Sequence, residues 1–177
     1  MGYGDSSRPS VVLIGPPGAG KTTIGRRLAR VLNQQFVDSD FVIESKAGKT
    51  CSEIFAEDGE EAFRALEAEV IAEALQEPGI LALGGGAVTH AGTRSLLDQQ
   101  TVVFVDVSDD TGIERTTRPH NRQQRPLLAG KDADTRYRNL MAQRRPLYRE
   151  VADYRARTDQ RSPQQVVADI LGFLETL

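Results

Sequence analysis

Residues 15–22 read Gly-Pro-Pro-Gly-Ala-Gly-Lys-Thr, a complete match to G-x-x-x-x-G-K-[ST]. No other stretch constrains the fold of this chain as strongly. The glycines let successive backbone N–H groups turn inward toward phosphate oxygens, and a following helix adds its positive N-terminal end. The loop must therefore leave a strand and enter a helix, and its flanks agree. Val11, Val12, Leu13 and Ile14 form a continuous apolar run, as expected of a parallel strand buried on both faces. A helix is expected over 21–32, with Ile24, Leu28, Val31 and Leu32 on one face. In such a loop Lys21 reaches the β- and γ-phosphates and the Thr22 hydroxyl ligates Mg²⁺. Gly15, Pro17, Gly18, Ala19, Gly20 and Thr23 complete the expected nucleotide-binding set.

The rest of the chain alternates short β-type runs with longer helical patterns, which argues for a parallel α/β sheet. Strands are expected over 35–37, 80–83, 101–107 and 154–158. Helices are expected over 41–46, 51–56, 60–76, 93–98 and 133–152, with one beginning near Asp109 and a kink at Pro146. Gly48 is a C′ candidate, and Thr50 with Glu53 fits a capping box. The helix over 60–76 carries Phe63, Leu66, Val70 and Ala74 as its stripe. Ser162, Pro163 and Gln165 open the last helix with a capping serine, a proline at N1 and a second capping box.

Composition narrows the class. The chain has 177 residues, 39% of them hydrophobic, which suffices for one core. It is expected to form a single domain over 10–177, preceded by a disordered tail over 1–9. No apolar run approaches the roughly 18 residues of a membrane span, and no signal-peptide core precedes the first strand. Cys51 is the only cysteine and there are two histidines, so disulfide and zinc sites are not expected. A cytoplasmic monomer without a nucleic-acid or membrane partner is the expectation. The net charge of -3 is unevenly spread. Residues 115–131 hold Arg115, Arg118, Arg122, Arg125 and Lys131 with no acid, leaving 17 basic against 25 acidic residues elsewhere.

Four further clusters can carry chemistry. Asp38 and Asp40 sit where the second strand should end, beside which ligands bind in such folds. One could orient a Mg²⁺ shell and the other could accept a substrate proton. The alternative is a helix N-cap at Asp40 beside a solvated Asp38. Gly84, Gly85 and Gly86 follow the third strand and leave its end bare for a ligand, or form a loose loop. Arg64 and Arg144 offer guanidinium forks for a carboxylate. Their alternatives are an exposed Arg64–Glu67 pair and a solvated basic turn at Arg144-Arg145-Pro146. The basic stretch, with a lid over about 116–130, could close over phosphates, or form a basic surface loop.

The order and spacing of these motifs resemble the shikimate kinase family from about residue 10 to the end. The resemblance rests on 15–22, Phe36 to Asp40, Ile54-Phe55, Asp58-Gly59-Glu60, Phe63-Arg64 with Glu67, and Leu83 to Val88. Arg125-Pro126-Leu127-Leu128 and Arg144 to Tyr148 complete it. It implies a nucleoside-monophosphate-kinase-like three-layer α/β/α fold with a five-stranded parallel sheet in order 2-3-1-4-5. It implies ATP- and Mg²⁺-dependent phosphorylation of the 3-hydroxyl of shikimate, on the route to chorismate and aromatic amino acids, with the acceptor region over about 40–76. Carried over, Asp40 is the candidate base, and Arg64, Arg144 and the Gly84, Gly85 and Gly86 backbone hold shikimate. Asp38 reaches Mg²⁺ through water, Arg125 meets the transferring phosphate, and Arg115 and Arg161 flank adenine. Two departures stand out: the lid is longer and richer in arginine, with Arg118 and Arg122 unassigned, and Ala19 replaces a common serine. A gluconate kinase or a non-catalytic shikimate sensor are the alternatives.

Overall fold

The computed structural model describes residues 7–116 and 132–177. Five parallel strands run in the order β2-β3-β1-β4-β5. They are β1 (Val11–Ile14), β2 (Phe36–Asp38), β3 (Ile80–Ala82), β4 (Val102–Asp106) and β5 (Tyr154–Arg157). The described helices are α1 (Lys21–Val31), α2 (Ser39–Ala47), α3 (Cys51–Ala74), α4 (Ala91–Leu97), α5 (Asp109–Thr116), α6 (Ala133–Val151) and α7 (Pro163–Leu174). A 3₁₀ turn at Ala87–Thr89 follows the glycine run.

Side chains alternate across the sheet, as the strand pleat requires. Val12, Ile14, Leu81 and Phe104 face one core with Ile71, Tyr137, Met141 and Tyr148 of α3 and α6. Val11, Leu13, Ile80 and Val103 face the other with Ile24 and Leu28 of α1 and Val166 and Ile170 of α7. A smaller core of Ile43, Ile54, Phe63 and Val70 joins α2 to α3. The expected three layers and strand order are present. Packing begins inside the expected tail, where Pro9 is buried and Arg8 donates to the Gln99 carbonyl at 2.9 Å.

Local expectations hold with instructive exceptions. In α1 the buried residues are Ile24, Gly25, Leu28 and Ala29, and Val31 is 59% exposed. Val31 lies roughly 90° round the helix from the centre of that face at about 100° per residue. The small Gly25 draws the face toward itself because the Phe36 ring fills the space beside it. The helices expected over 51–56 and 60–76 are separated, as the sequence suggested, at Gly59, whose φ is 88°. Thr50 caps the first of them through the Glu53 amide, and its hydroxyl also meets the Glu53 carboxylate at 3.2 Å. Ser162 and Gln165 form the complete capping box. Helix α6 runs through Pro146 as one element. The proline only leaves the carbonyl one turn earlier without an amide partner.

The order of strands places the site. β3 inserts between β1 and β2, and β4 lies on the other flank of β1, so the direction of winding switches at β1. In register, Leu13 and Asp38 both pair with Ala82, and Ile14 pairs with Phe104. The carboxyl ends of β1, β2 and β3 therefore deliver Gly15, Asp38 and Gly84 to one edge.

Candidate active site

The phosphate loop is fixed by close packing. Gly15 has φ 146°, and a side chain there would stand 2.1 Å from the Val105 carbonyl oxygen, so only glycine fits. The Tyr137 hydroxyl of α6 donates to the Pro17 carbonyl at 2.9 Å. Lys21 donates to the carbonyls of Gly15 at 2.6 Å and Pro16 at 3.1 Å, which holds its ammonium over the loop. The Arg115 guanidinium donates to the Gly18 carbonyl at 2.9 Å from α5.

Asp38 and Asp40 have separate tasks. Asp38, not Asp40, is the N-cap of α2: its carboxylate accepts from the Asp40 amide at 2.9 Å. The helix starts at Ser39, two residues earlier than the sequence suggested, because this cap is available to it. The other Asp38 oxygen accepts from the Thr22 hydroxyl at 3.1 Å. Thr22 and Asp38 thus bring one hydroxyl and one carboxylate to the same point, a set of hard oxygen donors that suits Mg²⁺. Asp40 is left facing the cavity, where burial pushes its carboxyl from 3.8 up to about 7, with Asp38 and Glu67 adding and Lys21 opposing.

The glycine run is a rigid bare floor. The Ser39 hydroxyl accepts from the Gly84 amide at 3.2 Å, the Ala87 amide donates to the Gly84 carbonyl at 3.1 Å, and the Thr89 hydroxyl donates to the Gly86 carbonyl at 2.6 Å. A side chain on Gly86 would stand 2.2 Å from one Arg64 nitrogen and 2.8 Å from one Arg144 nitrogen. On Gly84 it would stand 2.8 Å from an Asp40 oxygen and 3.1 Å from a Glu67 oxygen.

Arg64 and Arg144 are therefore neighbours, neither of them a solvated surface group. Arg144 is 5% exposed. It lies on the buried stripe of α6, Tyr137-Met141-Arg144-Tyr148-Val151. Burial lowers its basicity, and the nearby Arg64 lowers it further. Arg64 donates to Glu67 at 2.7 Å, and its guanidinium lies 5.2 Å from the Phe63 ring centre and 5.9 Å from that of Phe55. Glu67 is 2% exposed, and burial raises its carboxyl while Arg64 lowers it. Among the described residues, one Glu67 oxygen and the Arg64 Nε are buried without a hydrogen-bond partner. Two guanidinium groups thus face the one buried carboxylate of Glu67, with the exposed Glu60 3.9 Å from the Arg64 Nε.

These groups line one cavity of about 590 Å³. Gly18 to Thr22, Asp38, Asp40, Arg64, Gly84, Gly85, Gly86 and Arg144 are in its wall, together with Arg115 and Arg161. Thr158, Pro163 and Val166 close the end near Arg161, which is anchored to Asp169 at 3.1 Å. Gly15 shapes the loop from below, and Pro17, Ala19 and Thr23 join the lining. Arg145, next to Arg144, points elsewhere and binds Asp106 at 2.5 Å and Asp109 at 2.8 Å. Of the lid expected over 116–130 only Thr116 is described, as the last residue of α5; Arg118, Arg122 and Arg125 lie outside the described residues. Sequence reasoning placed none of Phe55, Phe63, Cys51, Leu140, Tyr137 or Tyr148 among the site residues. The spacing of Tyr137, Arg144 and Tyr148 along one helix face was the available signal for α6.

A phosphate loop at the switch point of a 2-3-1-4-5 parallel sheet, with an acceptor cavity against it, defines a P-loop small-molecule kinase. The sequence model of one such family, shikimate kinase, matches residues 17–175. The shikimate kinase of Corynebacterium diphtheriae is 60% identical over 170 residues, covering 96% of each chain. That of Rhodococcus jostii is 48% identical, covering 94% of this chain and 98% of the relative. Among solved structures, the shikimate kinase from Acinetobacter baumannii in complex with shikimate superimposes with a TM-score of 0.88 at 40% identity. It spans 96% of this chain and 93% of the other. The Aquifex aeolicus enzyme gives 0.78 at 31% identity, over 93% and 95%. The chain belongs to the shikimate kinase family.

Proposed function

We infer that this enzyme transfers the γ-phosphoryl group of ATP to the 3-hydroxyl of shikimate, giving shikimate 3-phosphate and ADP on the route to chorismate and aromatic amino acids. The observation that carries this reading is the Arg64–Arg144 pair, set beside Asp40 in the cavity that also holds the phosphate loop. A small acid with hydroxyl groups fits that arrangement: its carboxylate pairs with the two guanidinium forks. Asp40 accepts a hydrogen bond from the reacting hydroxyl and takes its proton as the oxygen attacks phosphorus. The backbone of Gly84, Gly85 and Gly86 lets the ring approach closely.

Loop amides and Lys21 neutralise the β- and γ-phosphates, and the bond from γ-phosphorus to the bridging oxygen breaks as the new one forms. Arg115 and Arg161 flank the base. Thr22 would hold Mg²⁺ directly and Asp38 would hold it through water. When bound, the ion neutralises charge on the phosphate oxygens. Arg125, outside the described residues, is assigned to the transferring phosphate on the family pattern, as is a lid role for about 116–130. The single domain over 10–177 acts as a cytoplasmic monomer on small molecules. No described helix is long and apolar enough to cross a membrane. Among the described residues the exposed large apolar side chains Val31, Phe41, Leu96 and Leu177 are few, which supports a monomer.

A coupled ADP-release assay across shikimate, gluconate and nucleoside monophosphates tests the reading. Shikimate alone should be turned over efficiently. Efficient turnover of gluconate, or nucleotide binding without turnover, would replace it with one of the two alternatives.

A further inference from the structure

Tyr148 is fully buried in α6, with its ring centre 5.0 Å from that of Phe104. A phenylalanine would fill the same space. The hydroxyl is the expensive part, because a buried phenol oxygen must find a partner to offset its lost water. Here it donates to the carbonyl of Gly85 at 2.5 Å. Gly85 is the middle residue of the acceptor floor, and its Cα is hemmed in on two other sides. A side chain there would stand 2.9 Å from Pro17 of the phosphate loop and 3.4 Å from an Arg144 nitrogen. Arg144 precedes Tyr148 by one turn on the same buried stripe, and its guanidinium interacts with the Tyr148 hydroxyl. The Gly85 corner is therefore bonded by the Tyr148 hydroxyl and packed against the Arg144 guanidinium, two groups one turn apart on the same helix.

We propose that Tyr148 is a positioning residue for the acceptor: its hydroxyl locks the Gly85 carbonyl to α6 and thereby sets the Arg144 guanidinium against Gly86. The proposal rests on the reading that Arg144 holds the acceptor carboxylate. The chemistry explains why the position needs a tyrosine. Without the hydroxyl the Gly85 carbonyl loses its partner, the loop can rotate away from the helix, and Arg144 loses a neighbour that restrains its fork. A bidentate contact tolerates little such freedom. The nucleotide end of the cavity is held by different contacts, chiefly the Tyr137 bond to Pro17, so it should not feel the change.

The test compares Tyr148→Phe, Arg144→Ala and the double variant by KM for shikimate, KM for ATP, kcat and Tm. Tyr148→Phe should raise KM for shikimate about tenfold, which is about 1.4 kcal/mol. KM for ATP should stay within twofold, and Tm should drop by only a few degrees. In the Arg144→Ala background the same change should add less than twofold. An unchanged KM for shikimate in Tyr148→Phe, or equal rises in both KM values, would overturn the proposal, since a merely structural residue gives those results. A full tenfold rise in the Arg144→Ala background would also overturn it, by showing action independent of Arg144. If Arg144→Ala itself leaves KM for shikimate unchanged, the carboxylate reading fails, and that failure is visible separately.

Discussion

Replacing Asp40 by asparagine should make the protein more stable and nearly inactive, and both effects follow from the burial of one carboxyl. In the ligand-free chain that group is pushed from 3.8 to about 7, first by burial and then by Asp38 and Glu67. Between those two values the folded chain keeps a proton that the unfolded chain has released. Stability from this group is therefore greatest below pH 3.8, falls as pH rises toward 7, and is flat above. The full gap corresponds to about 4 kcal/mol. Asp40 faces an open cavity and keeps some solvent, so we take about half, or ~2 kcal/mol. For a chain of this size that is a Tm difference of roughly 4–8 °C.

Asp40→Asn, which never ionises, should accordingly melt above the wild type by that amount at pH 8. At pH 4.5 the difference should shrink to about a quarter, because that pH lies only a little above the unfolded value of 3.8 and most of the cost of ionising the folded group has not yet accumulated. The same titration governs catalysis. In the wild type, kcat/KM for shikimate should rise tenfold per pH unit up to about 7 and then level, as the carboxylate becomes available to accept the hydroxyl proton. In Asp40→Asn this limb should vanish, with turnover at pH 8 lower by about a hundredfold or more and ATP binding retained. Differential scanning fluorimetry at the two pH values and a coupled assay suffice. A variant that melts no higher at pH 8, or whose Tm difference does not change with pH, refutes the burial argument. Turnover near the wild-type rate removes Asp40 from the role of base.

Two other outcomes are expected. Gly86→Ala places a methyl 2.2 Å from Arg64 and 2.8 Å from Arg144, so KM for shikimate should rise more than about tenfold while nucleotide affinity, read by ADP titration, stays level. Asp106→Asn removes the buried charge that Arg145 and Arg155 share, at a cost of about 1–3 kcal/mol. Its Tm should drop by several degrees while kcat/KM at 25 °C stays within about twofold, since Asp106, Arg145 and Arg155 do not line the cavity.

Much of the site is local in the chain and therefore legible there. The phosphate loop needs only a strand, a glycine turn and a helix in succession, so residues 15–22 declare themselves. The Ser162 capping box and the break at Gly59 are likewise set by neighbours three or fewer residues away. Distance in sequence is where legibility ends. Adjacent residues such as Arg144 and Arg145 point about 100° apart on a helix, and as residue types they are identical. Packing of Tyr137, Met141 and Tyr148 against the sheet decides that Arg144 enters the cavity and Arg145 meets Asp106. The pair Asp38 and Asp40 was recognisable as chemistry, but only the fold gave the cap to Asp38 and left Asp40 free.

The sequence by itself determined a nucleotide-binding α/β chain, its family pattern and most candidate residues, because those depend on short-range spacing. The tertiary structure alone decided the electrostatics of the acceptor end. Insertion of β3 between β1 and β2 sets Gly84 against Asp40 and Glu67. The packing of α3 and α6 around the same floor buries Arg144 and Glu67, with Arg64 half-buried and bonded to Glu67. Charges in contact across 80 residues of chain have no signature in spacing; their energies come from shared burial, which exists only once the chain is folded.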